Sequence, residues 1–313
     1  MERLEMYQTG ISPTVACDLK CRLCSNYSPY YSDRKYYSID FLRETLRRYF
    51  TVVSHVRKLM LTGGEPLLYP ALSELVTELR KYRSQIGTFG IITNGTLLPD
   101  EALLAAVEDF GCGFHFLVDD YGPELSTKAA ELDALLTDRG ITHSLHNYSG
   151  DAPHCGGFVD FGDLRVKKAA TEEEVRRRFA KCAFPKVFHF CFDMVGGVMF
   201  PCNPCRRCKE LGIVDDPSEY VDLFDDSLTP EEQREKIAAI YQKDSLAACA
   251  YCNGMCEDSP RFPAAQQLEE AELARVRSGA GFYADIEKSL EQYREPGVRI
   301  EKLHRENEFP WLS

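Results

Sequence analysis

The chain has no run of roughly 18 to 20 apolar residues, the length a helix needs to cross a bilayer. Its first thirty residues carry no basic start followed by an apolar stretch, so neither a membrane partner nor export is expected, and a cytoplasmic location follows. Positive charge is scarce: 37 Lys and Arg stand against 49 Asp and Glu, a net charge of −12. Such a balance repels a phosphate backbone and makes nucleic acid a poor partner. Repeats and low-complexity tracts are absent, and tryptophan occurs once. What remains is a chain of 313 residues, 44% hydrophobic, long enough for one large core or two modest ones, with thirteen cysteines. A reducing compartment does not keep structural disulfides, and clustered thiols there more often hold metal.

The cysteines are clumped. Cys17, Cys21 and Cys24 form one group, Cys182, Cys191, Cys202, Cys205 and Cys208 a second, and Cys249, Cys252 and Cys256 a third. Cys112 and Cys155 stand apart and read as small buried hydrophobes. This layout implies at least two metal sites.

Up to about residue 147, β-rich runs (Ile11 to Ala16, Val56 to Leu61, Thr88 to Thr93, Gly113 to Val118, Ile141 to His146) alternate with stretches of helical spacing (Ile39 to Phe50, Ala71 to Tyr82, Glu101 to Phe110, Glu124 to Arg139). Repeated β-then-α units predict an α/β fold with a parallel sheet, curled toward a barrel. Past Gly150 the pattern breaks. A helix capped by Thr171 with Glu174 three residues on is expected, then a hairpin about Gly196-Gly197, a helix Pro230 to Gln242, and a charged helix over roughly 264–292. The expected divisions are a barrel core over 1–170, the last barrel elements with the cysteine-rich hairpin and helix region over 171–260, and a helical tail over 261–313.

The spacing C-x3-C-x2-C of Cys17, Cys21 and Cys24 follows the first predicted strand directly. Three thiolates in one short loop can hold three corners of a cubic [4Fe-4S] cluster and leave one iron open to a ligand. Zinc is the alternative, but structural zinc closes with four ligands and no fourth is nearby. Gly63, Gly64, Glu65 and Pro66 follow the second strand, and Thr93, Asn94 and Gly95 the third. In this order and spacing the segments resemble the radical S-adenosylmethionine (radical SAM) enzymes. The resemblance implies a partial (β/α)6 TIM-like barrel and a SAM-binding [4Fe-4S] cluster on Cys17, Cys21 and Cys24. It further implies main-chain groups of Gly63 to Pro66 on the methionyl amine, Thr93 and Asn94 near the carboxylate or ribose, and Leu23 against adenine, where the family often has an aromatic.

Fourteen residues separate Cys182 from Gly197, four more lead to Cys202, and Cys249-x2-Cys252 completes four thiolates. This is similar to the auxiliary-cluster extension of the SPASM and twitch subfamilies and implies an auxiliary [4Fe-4S] cluster on Cys182, Cys202, Cys249 and Cys252. No cysteine follows Cys256, so the shorter twitch version fits better. Zinc on the same four thiolates, and a second auxiliary cluster on Cys191, Cys205, Cys208 and Cys256, remain open.

Alternation through Val187 to Met194 puts His189, Cys191 and Asp193 on one face, where Cys191 is a candidate hydrogen donor and His189 a candidate proton acceptor at the barrel mouth. Asp119, grouped with His115 and Leu117, is the third candidate catalytic residue. The resemblance implies reductive cleavage of SAM to a 5'-deoxyadenosyl radical, hydrogen abstraction from substrate, and an electron donor such as flavodoxin or ferredoxin. A small polar substrate, a sugar or aminocyclitol, is expected because no extra N-terminal domain for gripping a leader peptide is evident. Length and cluster layout look similar to the twitch dehydrogenase of aminoglycoside biosynthesis, which implies two-electron oxidation. The rivals are epimerisation, maturation of a ribosomal peptide (a short peptide substrate), and a non-enzymatic electron carrier or zinc scaffold.

Overall fold

The structure, a computed structural model, describes residues 3–278. In chain order the strands are β1 (Glu5–Thr14), β2 (His55–Gly63), β3 (Ile86–Thr93), β4 (Phe114–Asp120), β5 (His143–Asn147), β6 (Phe158–Val159), β7 (Cys191–Val195), β8 (Val198–Phe200), β9 (Val221–Asp222) and β10 (Arg261–Phe262). The helices are α1 (Ile39–Val52), α2 (Leu72–Leu79), α3 (Glu101–Phe110), α4 (Ala129–Asp138), α5 (Glu172–Lys181), α6 (Ala183–Lys186), α7 (Asn203–Glu210), α8 (Pro230–Tyr241) and α9 (Glu270–Arg277). Among the described residues, eight strands form one sheet in the order β5-β4-β3-β2-β1-β7-β8-β9, and β10 pairs with β6 separately.

The first five strands and four helices overlap the predicted runs, because each helix buries one stripe and each central strand is covered on both faces; β1, however, begins at Glu5 rather than Ile11 and ends at Thr14 rather than Ala16, and α4 begins at Ala129 rather than Glu124. Leu59, Leu61, Phe89, Ile91, Phe116 and Val118 are buried in the sheet, and Leu46, Leu75, Val107 and Leu132 seal it from the helix side. Helix ends follow their capping chemistry: the Ser38 and Asp100 side chains accept from Phe41 N and Leu103 N. The expected box at Thr171 is closed by Glu174, and Thr229 with Glu232 closes a second at the start of α8. The hairpin turn falls at Gly196 and Gly197, whose φ of +61° and +79° suit residues without a Cβ.

The next strand of the main sheet after β5 is β7, which lies on the other side of β1 and pairs with it in parallel, with Gln8 opposite Cys191 and Ile11 opposite Met194. The sheet is therefore continuous across the boundary expected near residue 170. The alternation drawn through Val187 to Met194 also starts too early, since His189 and Phe190 have φ of +47° and +56° and precede the strand. Of the predicted helix over 264–292, α9 is one part, and positions 279–313 lie outside the described residues.

Candidate active site and cysteine groups

Parallel pairing of β1 to β5 brings their C-terminal ends to one edge of the sheet. Cys17 follows β1, Gly64-Glu65-Pro66 follows β2, Asn94 follows β3, Asp119 lies near the end of β4 and His146 near the end of β5. In an α/β sheet this edge is where ligands bind.

The second segment is pressed against the entry to the cysteine loop. Gly64 N donates to Thr14 O at 3.0 Å and Glu65 N to Ala16 O at 2.8 Å. A Cβ on Gly64 would stand 1.8 Å from Ala16 O, and Gly63 has φ +111°, so no other residue fits this approach. The Glu65 side chain is turned inward: it accepts from Leu67 N (3.0 Å), the Thr93 hydroxyl (2.9 Å) and Asn94 N (2.8 Å). It thus clasps the ends of β2 and β3, and burial pushes its carboxyl up to about 7 against those three donors. Thr93 is committed to Glu65, while Asn94 Nδ2 reaches Asp18 Oδ1 (2.9 Å) and Cys17 Sγ (3.6 Å).

Cys21 is buried and Cys17 and Cys24 half-buried. Burial, then the neighbouring thiols, raises Cys17 and Cys21 far above the ordinary thiol range. Amide donors stand at the sulfurs, Asn94 at Cys17 and Gln267 Nε2 at Cys21 (3.5 Å). Three loop thiols with N–H donors suit the anionic sulfur of an iron-sulfur cluster. Gln267 was not anticipated. It arrives because residues 265–277 run beside the loop: Arg22 N donates to Gln266 O (2.7 Å), Leu268 N to Lys20 O (2.9 Å), and Arg22 forks onto Glu272 at 2.7 and 2.8 Å. Nothing local in the sequence signals a contact across some 245 positions.

The second and third cysteine groups converge. Burial first, then Cys182, Cys249 and Cys208, raises the Cys252 thiol; burial, then Cys205 and Cys249, raises Cys202. Cys256 bridges to Cys182 through the backbone. The proposed quartet thus has three further thiols beside it, Cys205, Cys208 and Cys256. Among the described residues no group of three or more His, Cys, Asp or Glu surrounds a single-ion position.

Cys191 and His189 are elsewhere. Cys191 pairs with Gln8, six positions before the end of β1, and Gln8 Nε2 donates to its sulfur at 3.2 Å. At about 3.3 Å per residue this is roughly 20 Å from the strand end that leads to Cys17. His189 packs on Tyr7 with ring centroids 4.4 Å apart. Both therefore belong to the opposite end of the sheet, and their expected roles at the mouth are withdrawn. Asp193 is buried against Arg206, which also meets Glu210 (2.9 Å), Asn26 O (3.1 Å) and the Tyr31 hydroxyl, tying α7 to the chain beyond Cys24. Cys112, expected to be buried, is exposed.

A cavity of about 260 Å³ opens at the strand ends, lined by Leu23, Leu117, Asp119, His146, His154 and Cys155 among others. Leu23 packs on Phe262 and Phe158, so the small β6–β10 sheet borders the cavity. His115 is set deeper, bonded to Ser144 Oγ at 2.9 Å, and burial, then His143 and His146, holds it down at about 3. A larger cleft of about 500 Å³ beside Cys256 holds more charge, but Lys168 donates to Tyr251 O, Arg178 to Cys249 O, and Lys181 pairs with Asp258.

Residues 11–135 match the Radical SAM superfamily. This stretch is similar to that superfamily over about two fifths of the chain. The GTP 3',8-cyclase of Helicobacter pylori strain J99 is 29% identical over 139 residues, 43% of this chain and 42% of that protein. That of Chlorobaculum tepidum is 33% identical over 123 residues, 39% of this chain and 36% of that protein. The chain thus spans about two fifths of these curated relatives. Among solved structures, Streptococcus suis SuiB bound to precursor peptide SuiA is 14% identical with TM-score 0.49, covering 80% of this chain and 70% of that one. BtrN in complex with AdoMet and 2-DOIA is 16% identical with TM-score 0.48, covering 81% and 95%. Neither likeness bears on this chain's substrate. Among the described residues no helix is long and apolar enough to cross a membrane.

Proposed function

We propose that the chain is a radical SAM enzyme that oxidises a small polar substrate, a sugar or aminocyclitol, by two electrons. When bound, the cluster on Cys17, Cys21 and Cys24 supplies one electron to SAM and so the hydrogen-abstracting 5'-deoxyadenosyl radical. The protein's part is positioning. The main chain at Gly63 to Pro66 lies beside the cysteine loop, Asn94 bridges that loop to β3, and Leu23 gives an apolar surface between them and the cavity. Cys182, Cys202, Cys249 and Cys252 would hold a second [4Fe-4S] cluster, which would supply a one-electron acceptor, and a ferredoxin- or flavodoxin-like protein would be the electron donor.

The observation that carries the substrate class is the cavity lining. Among the described residues it contains no Lys or Arg, and its polar groups are Ser, Asp, His, Tyr and Cys. A nucleoside triphosphate, the substrate named in the cyclase relatives, needs cationic partners for its phosphates, whereas a neutral polyol needs only hydrogen bonds. Epimerisation through Cys191 loses its support with the placement of that thiol. The test is anaerobic reconstitution with iron and sulfide, reduction, and assay of 5'-deoxyadenosine from SAM. Reconstituted protein that binds SAM yet releases none refutes the reading.

A further inference from the structure

Asp119 and His146 are register partners on the adjacent parallel strands β4 and β5, one position before the last residue of each. Their side chains meet, His146 Nδ1 standing 3.4 Å from Asp119 Oδ1. That oxygen is buried and has no hydrogen bond among the described residues, and Oδ2 has only the Tyr121 hydroxyl at 3.5 Å. The His146 ring stacks on that of His154, 3.8 Å between centroids and 10° between planes. All three residues line the cavity that Leu23 borders.

These features answer one another. A buried carboxylate oxygen at long range from its imidazole is left short of a donor, and such a group is costly unless a ligand completes it. A hydroxyl is the donor of the right size and charge. Nδ1 turned to the carboxylate leaves Nε2 as the nitrogen for the ligand.

We infer that Asp119 and His146, backed by His154, form the hydroxyl-binding and proton-accepting pair of this cavity, and that the substrate presents a C–H carrying a hydroxyl. This rests on the oxidation proposed above. After the hydrogen atom has left the carbinol carbon, the O–H bond breaks. The proton goes to His146 Nε2. The O–H bonding pair stays on oxygen, and with the unpaired electron on carbon makes three electrons. One of these leaves to a one-electron acceptor, the role an iron-sulfur cluster on the second cysteine group would fill, and the other two form the carbonyl π bond, so a hydroxyl becomes a ketone with one proton and one electron released.

The experiment is imidazole NMR of the full, reconstituted chain, recorded against three probes, myo-inositol, 2-deoxystreptamine and GTP. In the wild-type protein the His146 signal is expected to move with the polyol or the aminocyclitol and not with GTP. In Asp119→Asn that response is expected to be lost, because the carboxylate oxygen that accepts the hydroxyl is gone. A response unchanged in Asp119→Asn, a signal that ignores both hydroxyl probes, or one that answers only GTP overturns the inference. A merely structural pair would give no response to either hydroxyl probe. SAM cleavage assayed on the same wild-type sample separates the two ideas: cleavage with a silent His146 sinks the pair alone, and a responsive His146 without cleavage sinks the radical SAM reading.

Discussion

The two cysteine assemblies are built in opposite ways. Cys17, Cys21 and Cys24 lie within eight positions on one loop, braced by the ends of β2 and β3 through Glu65 and Asn94. The second assembly draws thiols from the exit of α5, the start and body of α7, and the chain after Ala248. The first needs only a short loop on a sheet edge. The second exists only when β7, α7 and the 249–256 segment have docked, so its integrity should follow global stability far more closely than the first.

The comparison breaks most completely at the first loop. Cys17→Ala, Cys21→Ala and Cys24→Ala should each abolish 5'-deoxyadenosine formation, since each removes a corner ligand; full activity in any of them contradicts the site. Iron analysis gives the next largest effect. Wild-type protein should hold about eight iron atoms, and joint replacement of Cys182, Cys202, Cys249 and Cys252 about four. Zinc in the second site refutes the assignment, and near twelve iron atoms would bring the extra thiols into a third cluster.

Arg206→Ala leaves Asp193 buried and unpaired, and should cost about 3 to 5 kcal/mol in denaturant unfolding. Because Arg206 joins α7 to Asn26 and Tyr31, the second site should lose iron before the first. Equal loss from both would mean the assemblies are not independent.

Glu65 offers a pH test. Its carboxyl is raised from 4.5 to about 7 in the folded chain, so between those values the native state holds the extra proton and stability falls as pH rises. The difference between wild type and Glu65→Gln should therefore change across pH 4.5 to 7 and be flat below it. The variant itself should lose about 1 to 3 kcal/mol, because Asn94 N–H then faces an amide that cannot accept on that side. The smallest effect belongs to Cys191→Ala, expected to cost about 1 kcal/mol and to keep most substrate turnover. A variant that cleaves SAM yet fails to complete product would return Cys191 to the chemistry.

The sequence by itself determined the β/α order through β5, the capping box at Thr171, the glycine turn of the hairpin and the three-cysteine loop. Each rests on contacts within a few positions, where hydrophobic period and side-chain chemistry act directly. Alternation through the stretch before β7 failed because period alone does not say where a strand begins: two left-handed residues at 189 and 190 precede it. Pairing of β7 with β1 was likewise unreadable, since a parallel strand carries no local mark of its neighbour. That pairing decided the end of the sheet to which Cys191 belongs. Tertiary structure also decided that Gln267 meets Cys21 across some 245 positions, that Asp193 pairs with Arg206, and that Asp119, His146 and His154 share one cavity. These depend on which surfaces pack together, a choice made by the burial of the whole chain and not by any segment of it.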